Sequence, residues 1–385
     1  MDRLLKDILY ILYDMKIRPG DVIKQYRRAG DDIKAAIHYF KYNKDPGGLR
    51  QLTFSGFEKD KKEGDTNNES ARIFEYIKKH KLDIMYIGNK DYPSDLLNIF
   101  IPPPVLYYRG KRPEDKQFNI AIVGSRRCSH YGREVAAYLS RNLSRIGITI
   151  VSGLALGIDA SAHTEAVKEK GGSIAVLGNG PDIFYPPENR SLYREIEGNG
   201  TVITEFSPGT PPLRTNFPIR NRIISGLCKG VIIIEAGQRS GAMITGELAL
   251  SQDREVFAVP GNIFSPGSRG CHKLIKSGAK LIECIDDILD EFKHLLEDES
   301  LIDSGAVDVK NYRWQKRYKD ISSSNLKLDT LQSKIFETIG SRPKSFDEIS
   351  IATGLEAARL LKILSFLEIK NMIREDPLNH YRRCK

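Results

Sequence analysis

From Asn119 to about Asp290 the chain alternates short, almost wholly apolar runs with longer stretches of helical periodicity. The runs are NIAIVG, ITIVSG, SIAVLG, TVITE, VIIIEA, EVFAVPG and AKLIE. Runs this short, bounded by glycine and lacking alternation, predict strands covered on both faces, and the helical segments between them predict crossovers. The pattern therefore predicts a doubly wound, mostly parallel α/β domain. Ligands in such sheets sit beyond the carboxyl ends of the strands.

The flanks read differently. Apolar positions recur at helical spacing in Leu4 to Met15, Val22 to Arg28 and Asp32 to Phe40, with Pro19-Gly20 as a break, which predicts a small helical domain. Glu58 to Ser70 is charged and poor in apolar residues, a solvated linker or helix end. A helix over Ala71 to Lys79 and the segments IMYIG and VLYYRG lead into the α/β region. Beyond it, Glu291 to about Asn325 loses periodicity and reads as a linker. Within that stretch Trp314 to Lys319 interleaves aromatics with cations, either a basic linker or a nucleic-acid contact. Three amphipathic helices follow, with Ser345 placed to cap the second, and then short strands, which suggests a winged helix. Its putting only Arg359 and Lys362 on the recognition helix leaves DNA reading and protein contact both open. The expected division is residues 1–70, 71–290, 291–325 and 326–385.

Charge narrows the chemistry. With 59 Lys+Arg against 50 Asp+Glu the net charge is +9, a balance that favours polyanions. Five cysteines without any Cys-x-x-Cys pair argue against a disulfide framework and against zinc, and fit a reducing cytoplasm. No stretch approaches the roughly 18 apolar residues that span a bilayer, and charges interrupt the apolar run at the amino terminus, so neither membrane nor secretion is expected.

The chemistry-bearing loops repeat one theme. FPIRNRIISGL, Phe217 to Leu227, sets Arg220 and Arg222 around Asn221 just before the strand GVIIIEA, with Arg214 upstream. Guanidiniums offer fixed forks of donors and suit phosphate better than a metal or a proton relay. The first strand ends in Gly124-Ser125-Arg126-Arg127 ahead of a helix, where Gly124 permits a tight turn and the helix dipole favours an anion. The second ends in Ser152-Gly153, and its Gly-x-x-x-Gly spacing fails the dinucleotide fingerprint. Asp159 and His163, one helical turn apart, read as architectural. After the third strand come Gly178-Asn179-Gly180 and then Phe184-Tyr185-Pro186-Pro187-Glu188-Asn189, whose rings stack on bases or pack the loop. Arg239-Ser240-Gly241 again precede a helix. No paired carboxylates, nucleophile elbow, Walker lysine or metal cluster is present in these loops.

Taken in order, IAIVGSRRCSHYG, VSGLALGIDASAH, AVLGNGPDIFYPPEN, FPIRNRIISGL, EAGQRSGAMITGELAL, VFAVPGNI and GCHKLIKSGAKLI resemble the DprA/Smf family of DNA-processing proteins. The resemblance is firm from Tyr92 to Asp290 and looser at both ends. It implies an extended Rossmann-like domain, an amino-terminal sterile-alpha-motif (SAM)-like helical domain and a carboxy-terminal winged helix. It further implies binding of single-stranded DNA without cofactor or turnover, a homodimer, and delivery of the strand to RecA recombinase with displacement of single-strand binding protein during natural transformation. Carried over, the anion pocket falls on Ser125, Arg126, Ser152, Gly153, Asn189, Arg220, Asn221, Arg222, Arg239, Ser240 and Gly241. The residue pattern adds Arg127, Arg214 and Phe217 to the DNA-binding set.

One departure stands out: several relatives carry a lysine after the Tyr-Pro pair, where this chain has Pro187-Glu188. Two other readings compete. A nucleotide-binding or nucleotide-hydrolysing Rossmann-like protein resembling phosphoribohydrolases needs a Pro-Gly-Gly-x-Gly-Thr-x-x-Glu loop, and this chain has AGQRSGAMITGE instead. A winged-helix transcriptional regulator would show a strong preference for one duplex sequence.

Overall fold

The computed structural model describes residues 3–42, 69–113, 117–296, 330–339, 343–369, 372–375 and 380–383. Of the expected linkers over 58–70 and 291–325, the stretches 58–68 and 297–325, including Trp314 to Lys319, lie outside the described residues, whereas Glu69 and Ser70 open a helix and Lys293–Leu296 form another. The chain divides into two compact units, Met1–Tyr312 and Arg313–Lys385.

In the first unit nine strands form one sheet: β1 (Asp83–Tyr86), β2 (Val105–Gly110), β3 (Asn119–Gly124), β4 (Thr149–Ser152), β5 (Ser173–Val176), β6 (Thr201–Thr204), β7 (Gly230–Ile234), β8 (Glu255–Ala258) and β9 (Lys280–Leu281). Their spatial order is β1-β2-β6-β5-β4-β3-β7-β8-β9. Strands β3 to β9 run parallel, each of the predicted runs supplying one. IMYIG and VLYYRG, read only as lead-in segments, extend the sheet as an antiparallel edge pair.

Among the described residues of this unit the helices, in chain order, are α1 (Arg3–Leu9), α2 (Pro19–Arg28), α3 (Ile33–Tyr42), α4 (Glu69–His80), α5 (Ser94–Leu97), α6 (His130–Arg145), α7 (Ile158–Ala166), α8 (Arg190–Asn199), α9 (Asn216–Gly226), α10 (Gly241–Ser251), α11 (Arg269–Lys276), α12 (Asp286–Leu289) and α13 (Lys293–Leu296). A π-helical turn, Tyr10–Asp14, continues α1.

The period of two along each strand sorts the core into faces. Ile120 and Ile122 of β3, Ile232 and Ile234 of β7 and Phe257 of β8 pack with Ala136, Leu139 and Leu143 of α6 and Ile158 and Ala162 of α7. Ala121 and Val123, Val231 and Ile233, and Val256 and Ala258 point the other way, toward Ile223 and Ile224 of α9, Met243 of α10 and Leu274 of α11. The crossovers leaving β3 and β4 thus cover one face, and those leaving β6, β7 and β8 the other. The reversal falls between the neighbouring strands β3 and β7, the place where such sheets open a crevice.

The amino-terminal helices do not stand apart. Leu5, Ile8, Val22, Ile23, Ile37 and Ile77 belong to the same apolar cluster as the second sheet face. Tyr13 Oη and Tyr107 Oη lie 3.2 Å apart, and the Arg27 guanidinium donates to the Ile99 carbonyl at 2.7 Å.

The second unit holds α14 (Thr330–Ile339), α15 (Phe346–Thr353) and α16 (Ala357–Ile369) with a three-stranded antiparallel sheet of β10 (Lys344–Ser345), β11 (Ile373–Glu375) and β12 (His380–Arg383). Ser345 caps α15 as predicted: its hydroxyl accepts from the Glu348 N–H, and the Glu348 carboxylate accepts from the Ser345 N–H. Among the described residues no helix is long and apolar enough to cross a membrane.

Candidate nucleic-acid interface

Loops leaving β3, β4, β5 and β7 converge at the sheet edge beside the reversal. The Ser125 N–H donates to the Glu235 carbonyl at 2.8 Å, and the Ser125 carbonyl accepts from the Ile158 N–H at 3.3 Å. The first loop is thereby tied to both of its neighbours. Glu235 adds a brace that the motifs did not reveal, since its carboxylate accepts from both the N–H and the hydroxyl of Ser129.

A recess of about 60 Å³ opens among these loops, walled by Arg126, Gly153, Asn179, Tyr185, Phe217 and Arg220. Arg126 is exposed, and its guanidinium lies 5.3 Å from the centre of the Phe217 ring. A guanidinium stacked by its face keeps its in-plane N–H groups for an acceptor. Tyr185 lies 5.6 Å from Phe217 at a 36° tilt, so two rings and an arginine share one wall.

Beneath them Arg220 is buried, with only 4% of its surface exposed. Its guanidinium donates to the Gly153 carbonyl at 2.8 Å, to the Val176 carbonyl, and through Nε to Asn221 Oδ1 at 3.2 Å. Gly153 is the residue that admits it: a Cβ there would come within 2.6 Å of the guanidinium. Burial, with the Arg126 charge adding to it and Asp159 opposing it, lowers the Arg220 pKa to about 10, so the side chain stays charged at neutral pH. The floor of the recess is therefore cationic although its donors are largely engaged.

The Asp159–His163 pair is architectural, as expected. Asp159 is buried and accepts from the Gly153 N–H at 3.1 Å and the Ala155 N–H at 3.4 Å. Burial raises its pKa, with the Arg220 charge opposing. His163 Nε2 accepts from the Leu154 N–H at 3.3 Å, which leaves Nδ1–H to donate to Ser173 Oγ at 2.7 Å, and Ser173 donates onward to the Ile150 carbonyl at 3.0 Å. Burial, then the Arg220 charge, drive the His163 pKa to about 3.

The predicted residues thus separate into groups. Arg126, Gly153, Phe217 and Arg220 come together at the recess. Ser125 precedes Arg126 in the first loop, where its hydroxyl accepts from the Arg127 N–H at 3.1 Å, and Asn221 reaches the Gly241 carbonyl at 3.4 Å. Arg127, Arg214 and Arg239 are exposed but do not wall the recess. Ser240 and Gly241 open α10 across the reversal, with the Ser240 hydroxyl buried and unbonded. Three more turn their side chains elsewhere. Ser152 spends its hydroxyl on the Ile122 carbonyl at 2.6 Å, and Asn189 its amide on the Leu154 carbonyl at 2.9 Å; both are buried. Arg222 is drawn away into an ion pair with Glu205 at 2.6 Å, the two side chains 13% and 9% exposed. The reason is the helical period: residues 220 and 222 lie on α9, and two residues on a helix face opposite sides. Tyr185 was legible only as an aromatic of undecided role.

Residues 83–293 match the family of DNA recombination-mediator protein A, and residues 322–377 match the DprA winged helix domain. The chain belongs to the DprA/Smf family. It is 34% identical over 340 residues to Protein Smf of Synechocystis, covering 83% of this chain and 85% of the relative. Over 202 residues it is 46% identical to the DNA processing protein DprA of Streptococcus pneumoniae, 52% of this chain and 71% of that one. The solved structure of the Streptococcus pneumoniae DprA superposes with a TM-score of 0.60 at 33% identity, covering 74% of this chain and 97% of that one. A Helicobacter pylori DprA structure, described for its single-stranded DNA binding mode, gives 0.51 at 30% identity over 57% of this chain and 97% of its own. These DprA likenesses agree with the parallel α/β sheet and the carboxy-terminal winged helix described above.

Proposed function

We propose that this protein binds single-stranded DNA at the recess without sequence preference, as a homodimer in the cytoplasm. In this reading it passes the strand to a RecA recombinase while single-strand binding protein is displaced, during DNA uptake. The observation that carries the binding step is the exposed Arg126 guanidinium held over the Phe217 ring beside Tyr185, above the buried charge of Arg220. Arginine supplies phosphate contacts and the rings accept any base face, the combination that non-specific strand binding uses. Arg127, Arg214 and Arg239, exposed on neighbouring segments, would add positive charge in this reading. The described DNA-binding mode of the Helicobacter pylori relative supports the choice of ligand.

The test is titration of oligonucleotides at several salt concentrations. Arg126→Ala weakens every strand alike and lowers the magnitude of the slope of log K against log salt by about 1. Unchanged affinity in the variant, or equal affinity for matched duplex in the wild type, rejects the reading. Adding recombinase and single-strand binding protein to the same assay tests the handover, and light scattering over a concentration series tests the dimer.

A further inference from the structure

Beside the arginine recess lies a larger one, about 310 Å³, that the proposed function leaves unused. It is walled by Glu69, Arg72 and Tyr76 of α4, by Asp182 after β5, and by Ser207 to Gly209 after β6. The two recesses share a thin wall at Gly180. Asn179 lines the first, while a Cβ on Gly180 would come within 2.6 Å of the Ser207 carbonyl and 2.7 Å of Asp182 Oδ1, both part of the second. A strand held in the first recess thus has the second as a neighbour.

Its chemistry is of another kind. The Tyr76 ring is stacked on His80, 4.1 Å between centres at 26°, which fixes the ring where it meets the recess. Burial first and then the Asp182 charge raise the Tyr76 pKa, while Arg109, which hydrogen-bonds the hydroxyl, opposes them. Both Asp182 oxygens accept from the Gly209 N–H, at 2.9 and 3.1 Å, which orients the carboxylate and leaves lone pairs for a further donor. Glu69 and Asp182 repel phosphate inside the recess, whereas exposed Arg72 can meet one outside it. A fixed ring beside an oriented carboxylate suits an unstacked base with an N–H edge. Guanine presents N1–H and N2–H side by side, and thymine presents a single N–H.

We infer that this recess takes one unpaired nucleobase of the bound strand, guanine ahead of thymine, with the ring on Tyr76, the donor edge on Asp182 and a flanking phosphate at Arg72. The inference rests on the proposed strand binding and adds to it a single position where base identity is read.

The full-length protein is titrated, by fluorescence anisotropy, with oligo-dT strands of one length carrying one dG at successive positions. One position gains about fivefold or more in affinity, the lower end of what a two-bond base contact contributes. Asp182→Asn abolishes that gain, and Tyr76→Ala abolishes it as well. The Asn side chain keeps an acceptor for Gly209, so a folding defect would not mimic the loss. Equal affinity at every position, or a gain that survives both variants, overturns the inference; the proposed function then stands if Arg126→Ala still weakens every strand. GMP and putrescine, titrated alone, separate other occupants: binding of either without a guanine effect in the strands also overturns it.

Discussion

His163 shows how a single side chain under the recess sets a pH limit on the fold. Its folded pKa of about 3 lies far below the ordinary 6.5, because the ring is buried and faces Arg220. The unfolded chain therefore takes up a proton near pH 6.5 that the folded chain refuses, so stability is full above that value and falls as pH drops toward 3. Well below 6.5 the loss approaches about 1.4 kcal/mol per pH unit. Raised Asp159 contributes with the opposite sign from its ordinary 3.8 upward, so the share of His163 in the stretch just below pH 6.5 is isolated by substitution. The melting temperature should decline over that window, and His163→Gln should flatten the decline whatever it does to the absolute value. The same residue illustrates what was readable: an Asp and a His one turn apart on a helix spoke for architecture, but the Leu154 and Ser173 partners come from other segments, which no local spacing announces.

At the level of elements, the strands were legible because a parallel strand buried on both sides has no choice but to be apolar throughout, and all seven runs are in the sheet. The antiparallel pair β1 and β2 was harder. Their hydrophobic pattern marks strands without saying which edge they join, and the crossing from β2 to β6 spans far-separated residues. The site suffered from a similar limit on α9. Read as a loop before a strand, its arginines could all face a phosphate; wound into a helix, Arg220 and Arg222 part company. Removing one member of a buried pair leaves the other charge without its partner, at a cost on the order of 3 kcal/mol. Glu205→Gln should therefore lower the melting temperature by several degrees. Arg222→Ala should do likewise while its salt slope for strand binding stays parallel to the wild type, unlike that of Arg126→Ala. A reduced slope would return Arg222 to the interface.

Across the whole molecule the described apolar residues form separate cores. Ile335, Ile339, Ile349, Leu360, Leu364 and Leu367 pack with Ile373 and Tyr381 as the core of the second unit. The capping box at Ser345 should then matter to the second unit alone. Ser345→Ala is expected to weaken that unit by about 1 kcal/mol, seen in calorimetry as a shift of one transition while the transition of the larger unit holds its temperature.

The first unit carries the opposite lesson. The match to the family's α/β domain begins at residue 83, yet the apolar cluster beneath the sheet is completed by Leu5, Ile8, Val22, Ile37 and Ile77. A protein trimmed to residues 83–293 would bare a greasy underside to water, and sedimentation should find it clumping or lost from solution where the entire chain stays dispersed.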